Sequence, residues 1–147
     1  MLKSKQWILK GGNSMKEIKN TYYDNRQIHS EEHYVSGKLH REDGPAYIEY
    51  FRNGKVSSEE YYINGMQHRE NGPAKIYYFY EENINGKRRG KISYEMYALN
   101  NNFHRENGPA RIFYCRDGQI EEKFYYINGE QITDEFKIMV METLEKV

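Results

Sequence analysis

The string His-Arg-Glu-Asp/Asn-Gly-Pro-Ala occurs three times, at His40–Ala46, His68–Ala74 and His104–Ala110, and it contains every proline of the chain, Pro45, Pro73 and Pro109. A heptapeptide that returns with its proline in register marks a repeat protein. In such an array each unit buries its apolar face only against its neighbours, so a short local pattern dictates the whole architecture. Repetition of this kind builds extended surfaces for holding a partner far more readily than a catalytic pocket.

The first two copies lie 28 residues apart and the last two 36. Shifting Tyr47–Ala74 back by 28 places Tyr22, Ile28, Glu31, Tyr34 and Gly37 under Tyr50, Val56, Glu59, Tyr62 and Gly65. Removing eight residues around Tyr80–Arg89 returns Gly90-Lys91-Ile92 to register with Gly54-Lys55-Val56. Four repeats follow, at about 17–44, 45–72, 73–108 and 109–133, with an insertion near 80–89. Residues 1–16 read as a leader or a degenerate N-terminal cap, and 134–147 as a helix.

Within a unit, Ala46–Phe51 is rich in strand formers, and Asn53-Gly54 suits a two-residue type I′ turn. The chain returns through Val56–Ile63 to a second such turn at Asn64-Gly65, and Asp117-Gly118 and Asn128-Gly129 repeat both. The two-residue turn at Asn53-Gly54 puts Ile48 and Tyr50 on one face and Phe51 and Val56 on the other. Fifteen tyrosines in a chain of mean hydropathy −1.04 favour a thin sheet roofed by phenol rings over a sandwich. The insertion reads as a longer hairpin with Asn85-Gly86 at its tip. At the end, Thr133 is a candidate N-cap, and Phe136, Val140, Leu144 and Val147 recur at helical spacing. The fold class expected is all-β: stacked antiparallel hairpins in one elongated curved sheet, with a C-terminal capping helix.

The repeated heptapeptide, its following Ile-x-Tyr and the Glu-x-Tyr-Tyr-Ile-Asn-Gly of the strands resemble the MORN-variant repeats. Leu39–Ala46 in particular is similar to the Leu-His-Arg-Glu-Asp-Gly-Pro-Ala subtype met in giant viruses, phages and some bacteria. The later copies carry Gln67 and Phe103 at the leucine position. The resemblance implies hairpins stacked in one sheet and a scaffolding or protein-binding role, including the role of antitoxin-like relatives.

Charge and chemistry narrow the function further. Lys+Arg and Asp+Glu both number 22, so no overall field draws in nucleic acid or an anionic membrane. The basic cluster Lys87, Arg88 and Arg89 in the insertion is the exception, and with Arg41, Arg69 and Arg105 and the histidines His40, His68 and His104 it forms a candidate anion-binding set. No metal site or cofactor is expected: equivalent histidines fall two strand spacings apart, about 9–10 Å, too far to share one ion. Cys115 is the one cysteine and takes the column of Phe51 and Phe79, as a small buried hydrophobe would. Met1–Lys10 contains three consecutive apolar residues, too few for a signal core, so a cytoplasmic location is expected. The reading is a non-enzymatic module for binding a protein partner, with Tyr61, Tyr62, Tyr125 and Tyr126 and the insertion Glu82–Lys91 as candidate contact residues. An exposed edge strand or the C-terminal helix offers a route to a homo-oligomer.

Overall fold

The computed structural model describes residues 2–8, 15–81 and 89–145. The first unit contains β1 (Leu2–Ile8), β2 (Lys16–Tyr22), β3 (Ile28–Val35) and β4 (Lys38–Leu39). The second contains β5 (Tyr47–Tyr50), β6 (Val56–Glu60), β7 (Tyr62–Ile63) and β8 (Met66–Gln67). The third has β9 (Lys75–Tyr78), β10 (Ile92–Met96), β11 (Ala98–Leu99) and β12 (Asn102–Phe103). The last has β13 (Arg111–Tyr114), β14 (Ile120–Ile127) and β15 (Glu130–Ile132), followed by α1 (Glu135–Leu144). The fold is all-β with one C-terminal helix. β1, in the segment read as a leader or half-repeat, pairs along its whole length with β2.

One antiparallel sheet runs β1-β2-β3-β5-β6-β9-β10-β13-β14-β15, with β4 folded back on β3. Each unit contributes a long hairpin to this sheet and then a short second hairpin at its end. The short hairpins turn through Ser36-Gly37, Asn64-Gly65, Asn100-Asn101 and Asn128-Gly129, all with positive φ at both residues, the type I′ geometry expected at Asn64 and Asn128.

The long hairpins turn differently from the two-residue loop expected at Asn53-Gly54. Phe51 N–H donates to Lys55 O at 2.8 Å, enclosing three residues, and the third, Gly54, has φ +77°. Such a loop shifts the register by one residue: Glu49 faces Ser58, but Tyr50 faces Val56. Val56 therefore joins Ile48 and Tyr50 in the core instead of lying on the opposite face. Cys115 N–H to Gln119 O repeats the closure, and Phe79 N–H to Lys91 O closes the third unit across the insertion. The tip expected at Asn85-Gly86 lies outside the described residues. Cys115, at the base of its turn, is half-buried.

The core is a set of rows running across the strands. Glu31, Ile48, Glu59, Ile76, Glu95, Ile112 and Lys123 are successive register partners. Two residues along each strand is a second row, tied by backbone bonds from His33 to Ala46, Tyr61 to Ala74 and Tyr97 to Ala110. Tyrosines roof this front face. Tyr78 and Tyr114 reach back to donate hydroxyl bonds to Glu59 at 2.7 Å and Glu95 at 2.8 Å. Glu59 is only 3% exposed and also accepts from Arg89, so a buried carboxylate is held by a phenol and a guanidinium. Without them its desolvation would cost several kcal/mol, on the order expected for an unpaired interior charge. A single sheet thus buries Ile48, Ile76 and Ile112 without a second layer of strands.

Candidate functional site

The repeated heptapeptide folds as a loop over the front face, and each of its residues has a mechanical task. Ala46, Ala74 and Ala110 are fully buried, each accepting a backbone hydrogen bond from the ring residue of the neighbouring strand, His33, Tyr61 or Tyr97. The arginine lies over that ring: Arg69 sits 3.9 Å from the centre of Tyr61 and Arg105 4.1 Å from Tyr97. Both then donate to the carbonyl of their own motif proline, at 3.1 Å for Pro73 and 3.2 Å for Pro109. In the first copy the ring is an imidazole, and Arg41 approaches His33 at 3.0 Å. The motif glycine gives the guanidinium room, since a Cβ on Gly72 would come within 3.1 Å of Arg69 Cζ.

The histidines serve the next unit. His40 Nδ1 accepts from Asn64 N–H at 3.1 Å, and His104 Nδ1 accepts from Asn128 N–H at 3.2 Å. His68 meets Asn100 Oδ1 at 3.0 Å. Each motif therefore fastens the type I′ turn that follows it, while its Nε2 faces the exposed Glu42, Glu70 or Glu106 at 3.7–3.8 Å. No group of three or more His, Cys, Asp or Glu among the described residues is placed to hold a metal.

Between successive motif loops lie polar grooves. The one between the first two copies is about 560 Å³ and is lined by Arg41, Asp43, Tyr61, His68 and Arg69 among others. The next, between the second and third copies, is about 240 Å³. After the third copy the place of a further motif is taken by α1. Glu145 pairs with Arg105 at 3.0 Å, and Glu142 accepts from both Tyr125 and Lys123. The helix is capped by Asp134, whose carboxylate accepts from Lys137 N–H at 2.9 Å, and not by Thr133 as the sequence suggested.

This docking turns the helix in an unexpected direction. Met141 is its buried residue, while Phe136, Met139, Val140 and Leu144 are 69%, 54%, 41% and 52% exposed. The apolar stripe read from the sequence is thus largely exposed instead of packed as a cap; Val147, its last expected member, lies outside the described residues. Beside the stripe is an apolar hollow of about 330 Å³ between Ile127, Ile132, Phe136 and Val140.

The candidate tyrosines are not an open face. Tyr125 is 4% exposed, and burial, reinforced by its bond to Glu142, raises its pKa. Tyr61 is half-buried beneath Arg69. Tyr62 donates to Glu60 at 2.7 Å, and burial first, then that bond, pushes its phenol up to about 12. Tyr126 packs against Phe103 at 5.1 Å on the back of the sheet. Of the basic insertion, Lys87 and Arg88 lie outside the described residues, and Arg89 is engaged by Glu59.

Sequence reasoning missed Lys123, Glu142 and Glu145. A signal was present: Lys123 falls in the column that holds Glu31, Glu59 and Glu95 in the other units, a reversal of charge that suits a carboxylate from elsewhere. No helix among the described residues is long and apolar enough to cross a membrane. Comparison with protein-family models, curated proteins and solved structures finds no match to this chain.

Proposed function

We propose that this chain is a non-enzymatic repeat module that binds another protein through its C-terminal end, in the cytoplasm of an infected or bacterial cell. The resemblance of its motif to repeats of giant viruses, phages and bacteria supports that setting. The observation that carries the reading is the outward stripe of α1. Four large apolar side chains, each more than two-fifths exposed, line one side of a helix next to an apolar hollow. A contiguous patch of this kind on a polar chain marks an interaction site, and its apolar character calls for an apolar helix or loop from the partner. The polar groups of the motif are, by contrast, largely spent inside the array: His40, His68 and His104 on turns, Arg41 and Arg105 on carboxylates.

The test is capture of partners from the native host by the intact chain and by a double variant, Phe136→Glu with Leu144→Glu. Both positions are exposed, so circular dichroism should be unchanged while the captured partner is lost. Retention of the same partner by the double variant would refute the assignment.

A further inference from the structure

The three motif arginines occupy equivalent places but are answered differently. Arg41 Nε donates to Asp43 Oδ1 at 2.7 Å, an acid in the fourth position of its own motif. The later copies carry Asn71 and Asn107 at that position. Arg105, without an acid at that fourth position, receives Glu145 from the end of α1 at 3.0 Å. Arg69 has the same stacking on a tyrosine and the same bond to its proline carbonyl, yet no carboxylate among the described residues pairs with it.

We infer that Arg69 is the recognition point for a carboxylate on the partner protein, presented from a helix in the way that α1 presents Glu145 to Arg105. The inference rests on the protein-binding reading and specifies what the partner must carry. Stacking and the proline bond fix the guanidinium plane before any partner arrives, so little side-chain freedom remains to be lost on binding. Gly72, with φ +131°, leaves the approach clear. At the third copy the matching Gly108 is so placed that a Cβ would come within 3.1 Å of Glu145 Cδ. Arg69 also lines both grooves between the motif loops, which gives an incoming helix a track along the array. The rim is acidic, with Glu42, Asp43 and Glu70, which favours a single carboxylate over a more highly charged phosphate. Glu145 binds beside the similarly exposed Glu106, so one rim acid does not prevent the contact.

The experiment is a titration of the full-length chain, followed through its arginine Nε–Hε resonances by NMR. The probe is an alanine-based helical peptide with two glutamates three residues apart, compared with its glutamine analogue and with inorganic phosphate. The Arg69 signal should move with the glutamate peptide and stay still with the glutamine one. The variant Asn71→Asp, which gives Arg69 the internal acid that Arg41 has, should weaken the response about tenfold, the scale of one charged hydrogen bond. A stationary Arg69 signal, an undiminished response in Asn71→Asp, or an equal response to phosphate would each overturn the inference. The outcome is separable from the α1 reading, because Phe136→Glu with Leu144→Glu leaves the surroundings of Arg69 intact.

Discussion

Tyr97 and Tyr125 hold the same position in consecutive units, but one is roofed by an arginine of the next motif and the other by a helix. Over Tyr97, Arg105 is part of the repeat, and the roof comes with the backbone loop that ties one unit to the next. Over Tyr125 no further motif exists, and Glu142 of α1 takes the place, accepting from the phenol hydroxyl. The interior therefore closes by self-similarity, and the end closes by a charge exchange in which Lys123 replaces the acid of the other units. An end held by ion pairs and one buried methionine is a looser attachment than an end held by a packed stripe, and it leaves the stripe free for another protein.

The largest effect expected is on the alkaline side. Burial, followed by bonds to Glu32, Glu59 and Glu95, raises the phenols of Tyr34, Tyr78 and Tyr114, and Tyr47 is pushed up to about 12. In the unfolded chain these groups ionise near 10.0, the ordinary value for a phenol. The folded state then holds more protons, so stability is full below pH 10 and is lost as pH rises through the folded values. Tyr125 and Lys123 are raised as well, so α1 should detach no later than the sheet unfolds. Urea midpoints followed by circular dichroism should stay flat to about pH 10 and then fall steeply. A gradual decline beginning near neutrality would show that the tyrosine roof is not what holds the interior.

Among substitutions, Ile76→Ala should cost the most, about 2–5 kcal/mol for a buried isoleucine in the middle of the row. It should lower the urea midpoint of the whole array. Met141→Ala, at an equally buried site, should release α1 and leave the midpoint of the sheet nearly unchanged, a difference that hydrogen exchange can resolve residue by residue. Next comes Gly108→Ala. Its φ of +146° is reserved for glycine, and a Cβ would meet Arg105 Cζ at 2.9 Å and Glu145 Cδ at 3.1 Å, so a loss of about 1–3 kcal/mol is expected. Gly44→Ala is the control: its φ is not positive and its Cβ would press only on the flexible Arg41 tip at 3.3 Å, so thermal melts should shift far less. Smaller again is Lys123→Glu, which restores the acid of the other units opposite Glu142. For a pair this exposed the loss is about 1 kcal/mol, seen as roughly fivefold faster exchange of the α1 amides.

Much of this was readable from spacing. The recurrence of His-Arg-Glu places the units, and Asn64-Gly65 and Asn128-Gly129 specify their turns because two successive positive φ values are needed there. The first turn was not readable, since Asn53-Gly54 suits a two-residue loop as well as the end of a three-residue one, and it is the three-residue closure that sets Val56 opposite Tyr50. The spacing of Phe136, Val140 and Leu144 gives the stripe of the helix, but a period cannot say what the stripe faces. That was decided by Glu142 and Glu145 finding Lys123 and Arg105, a long-range match of charge. The same limit applies to Tyr61 and Tyr125, whose cover comes from Arg69 in the loop that follows and from Glu142 of α1, contacts that a strand period does not encode.

The finest distinction is between Arg41 and Arg69, and it turns on one atom pair in the motif, Asp43 against Asn71. The hydrogen bond from Arg41, followed by its charge, holds the Asp43 carboxyl below the usual range. Asn71→Asp should give Arg69 the same internal partner. The pair would be solvent-facing, so the expected gain is small, a rise in Tm of about 1–3 °C. Because the acid's folded pKa would be depressed, that gain should be present above the pKa of the unfolded acid and vanish as pH falls through the folded value. Melts of the parent and the variant should therefore converge in acid and separate toward neutrality. Equal melting at every pH would mean that an acid at this position adds nothing to the stability of the loop, and the difference between the two copies would reduce to geometry.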